Sequence, residues 1–140
     1  MRIAPELKER WDFYESVKKP GLMEAFAIRV TDIGSGLVKA RMPVTESVKQ
    51  PFGLLHGGAS VALAESLASL GSWMLIDPET QRAAGLEINA NHLRPVSEGT
   101  VYAEAAIVHE GRRTHVWQIT ITDEKSRPVC ISRCTVSIIS

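Results

Sequence analysis

The apolar positions of this chain change period twice. Between Pro5 and Lys18, Leu7, Trp11, Tyr14 and Val17 recur at three- and four-residue spacing, which predicts an amphipathic first helix ended by Pro20-Gly21. Two strand-like runs follow, Ala25 to Ile33 and Leu37 to Met42, with Gly34-Ser35-Gly36 between them as a hairpin signal. Val38, Ala40 and Met42 alternate with Lys39 and Arg41, so one face of that second strand should be buried. After a loop from Gln50 to Gly58, the residues from Ala59 to Ile76 are apolar or small with Glu65 as the only formal charge, and Asp77-Pro78 closes them. They predict a long helix buried by protein. Beyond it the period falls to two. Gly85 to Leu93, Thr100 to His109, Thr114 to Thr122 and Val129 to Ile139 are rich in Val, Ile, Thr and aromatic residues, and read as a meander of antiparallel strands.

One long apolar helix and about six strands are buried most simply when the sheet wraps around the helix, an α+β arrangement. Nothing along residues 1–140 divides the chain, so one domain is expected. A sheet wrapped on a single helix leaves open edges, and pairing two edges across a two-fold axis would cover them. At least a homodimer is expected.

Composition narrows the partners. Sixteen basic residues balance sixteen acidic ones, which gives no long-range attraction for nucleic acid or an anionic membrane. The N-terminal residues are charged every few positions, unlike a signal peptide, and a cytoplasmic location is expected. Gly57 to Ile76 has the length of a membrane span, but Glu65 and its many small and hydroxyl residues argue against one. Cys130 and Cys134 lie four apart in a strand, on one face at roughly 13 Å, too far to pair. No His or Cys cluster has metal-ligand spacing, so neither a metal nor another cofactor is expected.

The chemistry centres on Glu65, because an unpaired buried charge is among the most expensive groups a fold can hold. At the start of the same helix, Gly57-Gly58 offers unpaired backbone N–H groups at the positive end of the helix dipole, a site for a developing oxyanion. Gln50 supplies an amide that can polarise a carbonyl or orient water, and His56 can cap the helix or act beside it. Glu65 would be nucleophile or general base. Gly57 and Glu65 are eight residues apart, about 12 Å along one helix, too far to reach one carbonyl carbon. If they cooperate, they come from different chains. Without such neighbours, Glu65 could instead pair with a buried Arg or Lys, and the glycines could serve close packing alone.

These residues resemble the hotdog-fold acyl-CoA thioesterases, in the branch with a catalytic Glu that hydrolyses aromatic thioesters such as 4-hydroxybenzoyl-CoA, 1,4-dihydroxy-2-naphthoyl-CoA and mischarged aryl carrier proteins. The resemblance rests on Gln50 to Ser60 with Glu65 nine residues after His56, on Glu87 to Pro95, and on Gly111 to Trp117, in that order. It implies a dimer of hotdog dimers, hence a homotetramer, with sites at the subunit interface. Glu65 would be the catalytic carboxylate, the Gly57 N–H would polarise the thioester carbonyl, and Gln50 and His56 would support that carbonyl or the leaving thiolate. Ser69 would position water or the acyl group, and His92 would line the acyl pocket, where Asn91 stands in place of a second His found in some relatives. Coenzyme A, part of the substrate rather than a cofactor, would meet Arg94, Arg112 and Arg113, while Phe52, Leu70, Trp73 and Met74 could line the acyl pocket or be plain core. An acyl or aryl carrier protein is the other thiol carrier implied. Two further readings stay open: a hydroxyacyl-thioester dehydratase or hydratase, and a non-catalytic acyl-CoA binder.

Overall fold

The computed structural model describes residues 1–140, and its inner sheet face follows the alternation in the sequence. Seven strands, β1 (Arg2–Ile3), β2 (Arg29–Gly34), β3 (Leu37–Pro43), β4 (Arg82–His92), β5 (Thr100–Glu110), β6 (Thr114–Thr122) and β7 (Pro128–Ile139), form one sheet in the order β1-β2-β3-β5-β6-β7-β4. All neighbours are antiparallel except β1 and β2, which are parallel. Val38, Ala40 and Met42 of β3 are buried and Lys39 and Arg41 are not, as their alternation requires. Val101, Ala103 and Ala105 of β5 and Trp117, Ile119 and Ile121 of β6 continue the same inner face.

Across that face lies α3 (Gly57–Trp73), about 25 Å long at 1.5 Å per residue. It enters after β3 and leaves into β4, so it carries the chain from the middle of the sheet to its far edge. This corrects the expected meander. Of those four strands only β5, β6 and β7 run consecutively, and β4 pairs with β7 rather than β5. The strand count also rises from about six to seven, because two residues near the N-terminus add β1 beside β2.

The first helix is a short 3-10 turn, Pro5–Leu7, followed by α1 (Lys8–Val17), with Leu7 and Trp11 buried. The run expected as a strand from Ala25 instead begins on the last residue of α2 (Leu22–Ala25), and β2 starts only at Arg29. The chain turns at Ala27, whose φ of 55° is left-handed, and the Ile28 N–H donates back to the Met23 carbonyl at 2.9 Å. That local turn takes the backbone groups a longer strand would have used. Cys130 and Cys134 are both free and fully buried on one face of β7. No helix is long and apolar enough to cross a membrane.

The core is tightest where α3 meets β6. Gly71 allows the helix to touch Trp117: a Cβ there would sit 2.4 Å from the indole Cη2. The Trp117 Nε1–H donates to Ser72 Oγ at 2.8 Å, and His115 Nδ1 lies 2.9 Å from the same oxygen, so the three buried polar groups satisfy one another. Burial holds the His115 pKa below its usual value, with smaller opposing influences from Glu110 and His109.

Candidate active site

Two stripes run along α3, each with the same three- and four-residue spacing and offset by two residues. Ser60, Leu63, Ala64, Leu67, Ala68, Gly71 and Ser72 are buried against the sheet. Ala62, Glu65, Ser66, Ser69 and Trp73 are only half-buried on the other side. Two residues are 200° of helix, so the second stripe faces away from the core. Glu65 forms no ion pair with any cation of the chain. Its carboxylate rests against Gly85 of β4, where a Cβ would lie 2.1 Å from Oε2. A β-bulge between Gly85 and Glu87 sits at this point of the strand.

Glu65, Ser66, Ser69, Leu70 and Trp73 line one cavity of about 620 Å³, opposite Tyr14, Leu22 and Met23 from the N-terminal helices. Thus four residues singled out from the sequence, Glu65, Ser69, Leu70 and Trp73, meet in one place. Met74, by contrast, is buried core. Trp73 is held from behind by α1: Arg10 stacks 4.3 Å over its ring and donates to the Trp73 and Ile76 carbonyls, while Phe13 stacks at 6.1 Å. Arg10 therefore closes the C-terminal end of α3, where backbone carbonyls lack helical partners.

A second group gathers at the start of α3. His56 is the N-cap, and its Nδ1 accepts the Gly58 N–H at 2.8 Å. The expected pair of free N–H groups is therefore reduced to one, that of Gly57, because His56 takes the other. A Cβ on Gly57 would lie 2.8 Å from His92 Nε2, so this glycine is required by packing against His92 as well as by access to its amide. Gln50 Oε1 accepts the Phe52 N–H, which leaves the Gln50 amide NH2 as the group available to a ligand. Phe52 is 88 % exposed at the loop tip and lines no cavity with Glu65.

The arginines divide between the ends of the sheet. The Leu55 N–H donates to the Val96 carbonyl at 2.7 Å, which ties the Gln50–His56 loop to the connection carrying exposed Arg94. Arg112 and Arg113 are exposed in the β5–β6 turn, where the Ile138 N–H donates to the Arg113 carbonyl at 2.8 Å. Leu93 pairs with Val129 at the opposite end of β7. Nine residues of strand separate these points, roughly 30 Å, so Arg94 and the Arg112–Arg113 pair of one chain cannot grip one phosphate group. No cluster of three or more His, Cys, Asp or Glu is placed to hold a metal ion.

Several residues escaped the sequence reading of the site: Ser66 and Gly85 beside Glu65, and Tyr14, Leu22 and Met23 across the cavity. Gly85 carried a usable signal, since a glycine within a strand run marks a bulge or a close approach.

Comparison with known proteins places this geometry in a family. The sequence model of the thioesterase superfamily matches residues 52–130. A 1,4-dihydroxy-2-naphthoyl-CoA hydrolase of Listeria monocytogenes is 48 % identical over 84 % of this chain and 95 % of its own. The proofreading thioesterase EntH of Klebsiella pneumoniae is 46 % identical over 78 % of this chain and 79 % of its own. Among solved structures, a mutant thioesterase of Pseudomonas aeruginosa superposes with a TM-score of 0.86 at 39 % identity, covering 97 % of this chain and 95 % of that one. A mutant thioesterase of Staphylococcus aureus gives 0.83 at 47 % identity, covering 84 % and 98 %. The chain belongs to the thioesterase superfamily and is a thioester hydrolase of the hotdog fold.

Proposed function

We propose that this protein hydrolyses the thioester of an aromatic or medium-sized acyl-CoA, or of the same acyl group on a carrier protein, with Glu65 as the reacting carboxylate. One observation carries the reading: the only charge on α3 lies on its open stripe, without a cation partner, on the wall of a 620 Å³ cavity. An acid held for stability would be expected to carry a partner. As general base, Glu65 takes a proton from water while the water oxygen adds to the carbonyl carbon; the C–S bond then breaks and the thiolate leaves with the proton. As nucleophile, a carboxylate oxygen adds to the carbonyl carbon, the C–S bond breaks and the thiolate leaves, and water then cleaves the mixed anhydride to release the acid and restore the Glu65 carboxylate. In both routes the Gly57 N–H donates to the carbonyl oxygen as it gains charge. Gln50 NH2 and His56 support the carbonyl or the thiolate, Ser69 positions water or the acyl group, and Trp73 and Leu70 provide apolar surface.

The one-chain distance of about 12 Å between Gly57 and Glu65 requires a second copy of the chain. The sheet supports this. β4 is an eleven-residue edge with no fully buried residue, and Leu86 on it is 65 % exposed. Pairing of two β4 edges gives the dimer, and two dimers a tetramer. The same pairing lets His92, Phe52, Arg94, Arg112 and Arg113 from two chains surround one acyl-CoA, despite their separation in one.

The test is a thiol-release screen over benzoyl, phenylacetyl, straight-chain, hydroxyacyl and enoyl coenzyme A, with carrier-protein thioesters beside them. The chain's own thiols give little background, because burial, with Glu65 and Glu87 adding to it, raises the Cys134 pKa to about 11. Fastest release from an aryl or medium-chain thioester is expected. Hydration of the enoyl substrate without thiol release would favour a hydratase instead.

A further inference from the structure

The wall of the Glu65 cavity facing α3 comes from residues 14–23, outside the segment that the family model matches. Tyr14 approaches Trp73 at 5.9 Å between ring centroids, and Leu22 and Met23 of α2 complete the wall. Tyr14 makes no side-chain hydrogen bond within the chain, and burial raises its pKa, against a smaller lowering by Lys18 and with a smaller raising by Glu15. On the far side of these residues lies a second, solvent-open groove of about 620 Å³, bounded by α1, α2 and the start of β2. Tyr14, Lys18, Leu22 and Met23 line both cavities. The partition is thus one side chain thick. Lys18 is tied to Glu15 at 2.6 Å, whereas Leu22 and Met23 are held by apolar contact alone.

We infer that Leu22 and Met23, with Tyr14, form the stop that sets the longest acyl group this enzyme accepts, by separating the Glu65 cavity from the groove behind them. This rests on the reading that the Glu65 cavity receives the acyl group. An acyl chain entering beside Glu65 runs along Ser69 and Trp73 and ends at this partition. Removing part of the partition joins the Glu65 cavity to the groove beyond and admits a longer chain. Because the stop is built from the N-terminal helices, acyl length is set separately from the carboxylate on α3.

The partition is tested by binding, with no turnover required. Calorimetry with non-hydrolysable S-alkyl-coenzyme A thioethers, from butyl to hexadecyl, reads how affinity changes with length. In the unaltered protein each methylene should tighten binding about fourfold until the chain meets the wall, after which the gain stops. Met23→Ala and Leu22→Ala should each move that break to longer chains, and the double substitution should move it furthest. Tyr14→Phe, which keeps the ring, should leave it in place. Thermal melting confirms that each variant is folded. A break at the same length in the folded Met23→Ala, Leu22→Ala and double variants would overturn the inference. A protein that binds thioethers with a movable break but releases no thiol from any acyl-CoA would sink the hydrolysis reading and not this one.

Discussion

The two faces of α3 have the same backbone, the same spacing and nearly the same palette of small and apolar residues, yet they answer to different constraints. On the sheet side, Leu63, Ala64 and Leu67 have no exposed surface, and Gly71 and Ser72 are fitted to a single indole. On the other side the helix borders open space, and the Glu65 carboxylate lies against Gly85. Packing dictates the first stripe and leaves no room for chemistry. The second stripe is free to carry a charge because a cavity, not a side chain, lies before it. Stability and activity should therefore separate by face.

The largest stability effect should come from Leu67→Ala on the sheet side. It removes a fully buried side chain and leaves a cavity in the core, and should lower unfolding free energy by about 2–5 kcal/mol in denaturant titration. A loss under about 1 kcal/mol would blur the contrast. Gly71→Ala acts in the opposite sense, by overfilling. The added methyl meets Trp117, whose ring cannot swing away without losing its hydrogen bond to Ser72, and a cost of about 1–3 kcal/mol is expected. Unchanged stability would show that the contact yields.

A smaller effect should appear with pH. His115 binds a proton less readily in the folded protein than in the unfolded chain, so the unfolded state takes up the proton first as pH falls. Its contribution is complete above the unfolded value, about pH 6.5, and is lost as pH drops from there toward the lower folded value. Melting temperature measured between pH 8 and pH 5 should fall more steeply for the native sequence than for His115→Gln. Parallel curves would mean that this imidazole is not held neutral by the core.

The long helix and its lone acid were legible in the sequence because helical signals are local: the apolar run, Glu65 and the capping His56 are all readable within about twenty residues. The strands from Leu37 and Thr114 were legible for the same reason. What escaped was decided at a distance. The position of β4 beside β7 depends on where α3 delivers the chain, and nothing within Arg82–His92 encodes that partner. The turn through α2 was hidden by a run of Ala, Phe and Ile that suits a strand, until a left-handed Ala27 redirected it. Tyr14, Leu22 and Met23 reach the cavity from some forty residues away in sequence. The candidate site was thus half legible: Glu65, Ser69, Leu70 and Trp73 were named from the sequence, and the wall opposite them was not.

The central claim is that the open face of α3 carries the reaction through Glu65, and Glu65→Gln tests it most directly, since it keeps the shape and removes the charge. Thiol release from the best acyl-CoA of the screen should fall at least about a hundredfold, with the melting temperature held within a few degrees. Full turnover in a folded Glu65→Gln protein would contradict the account.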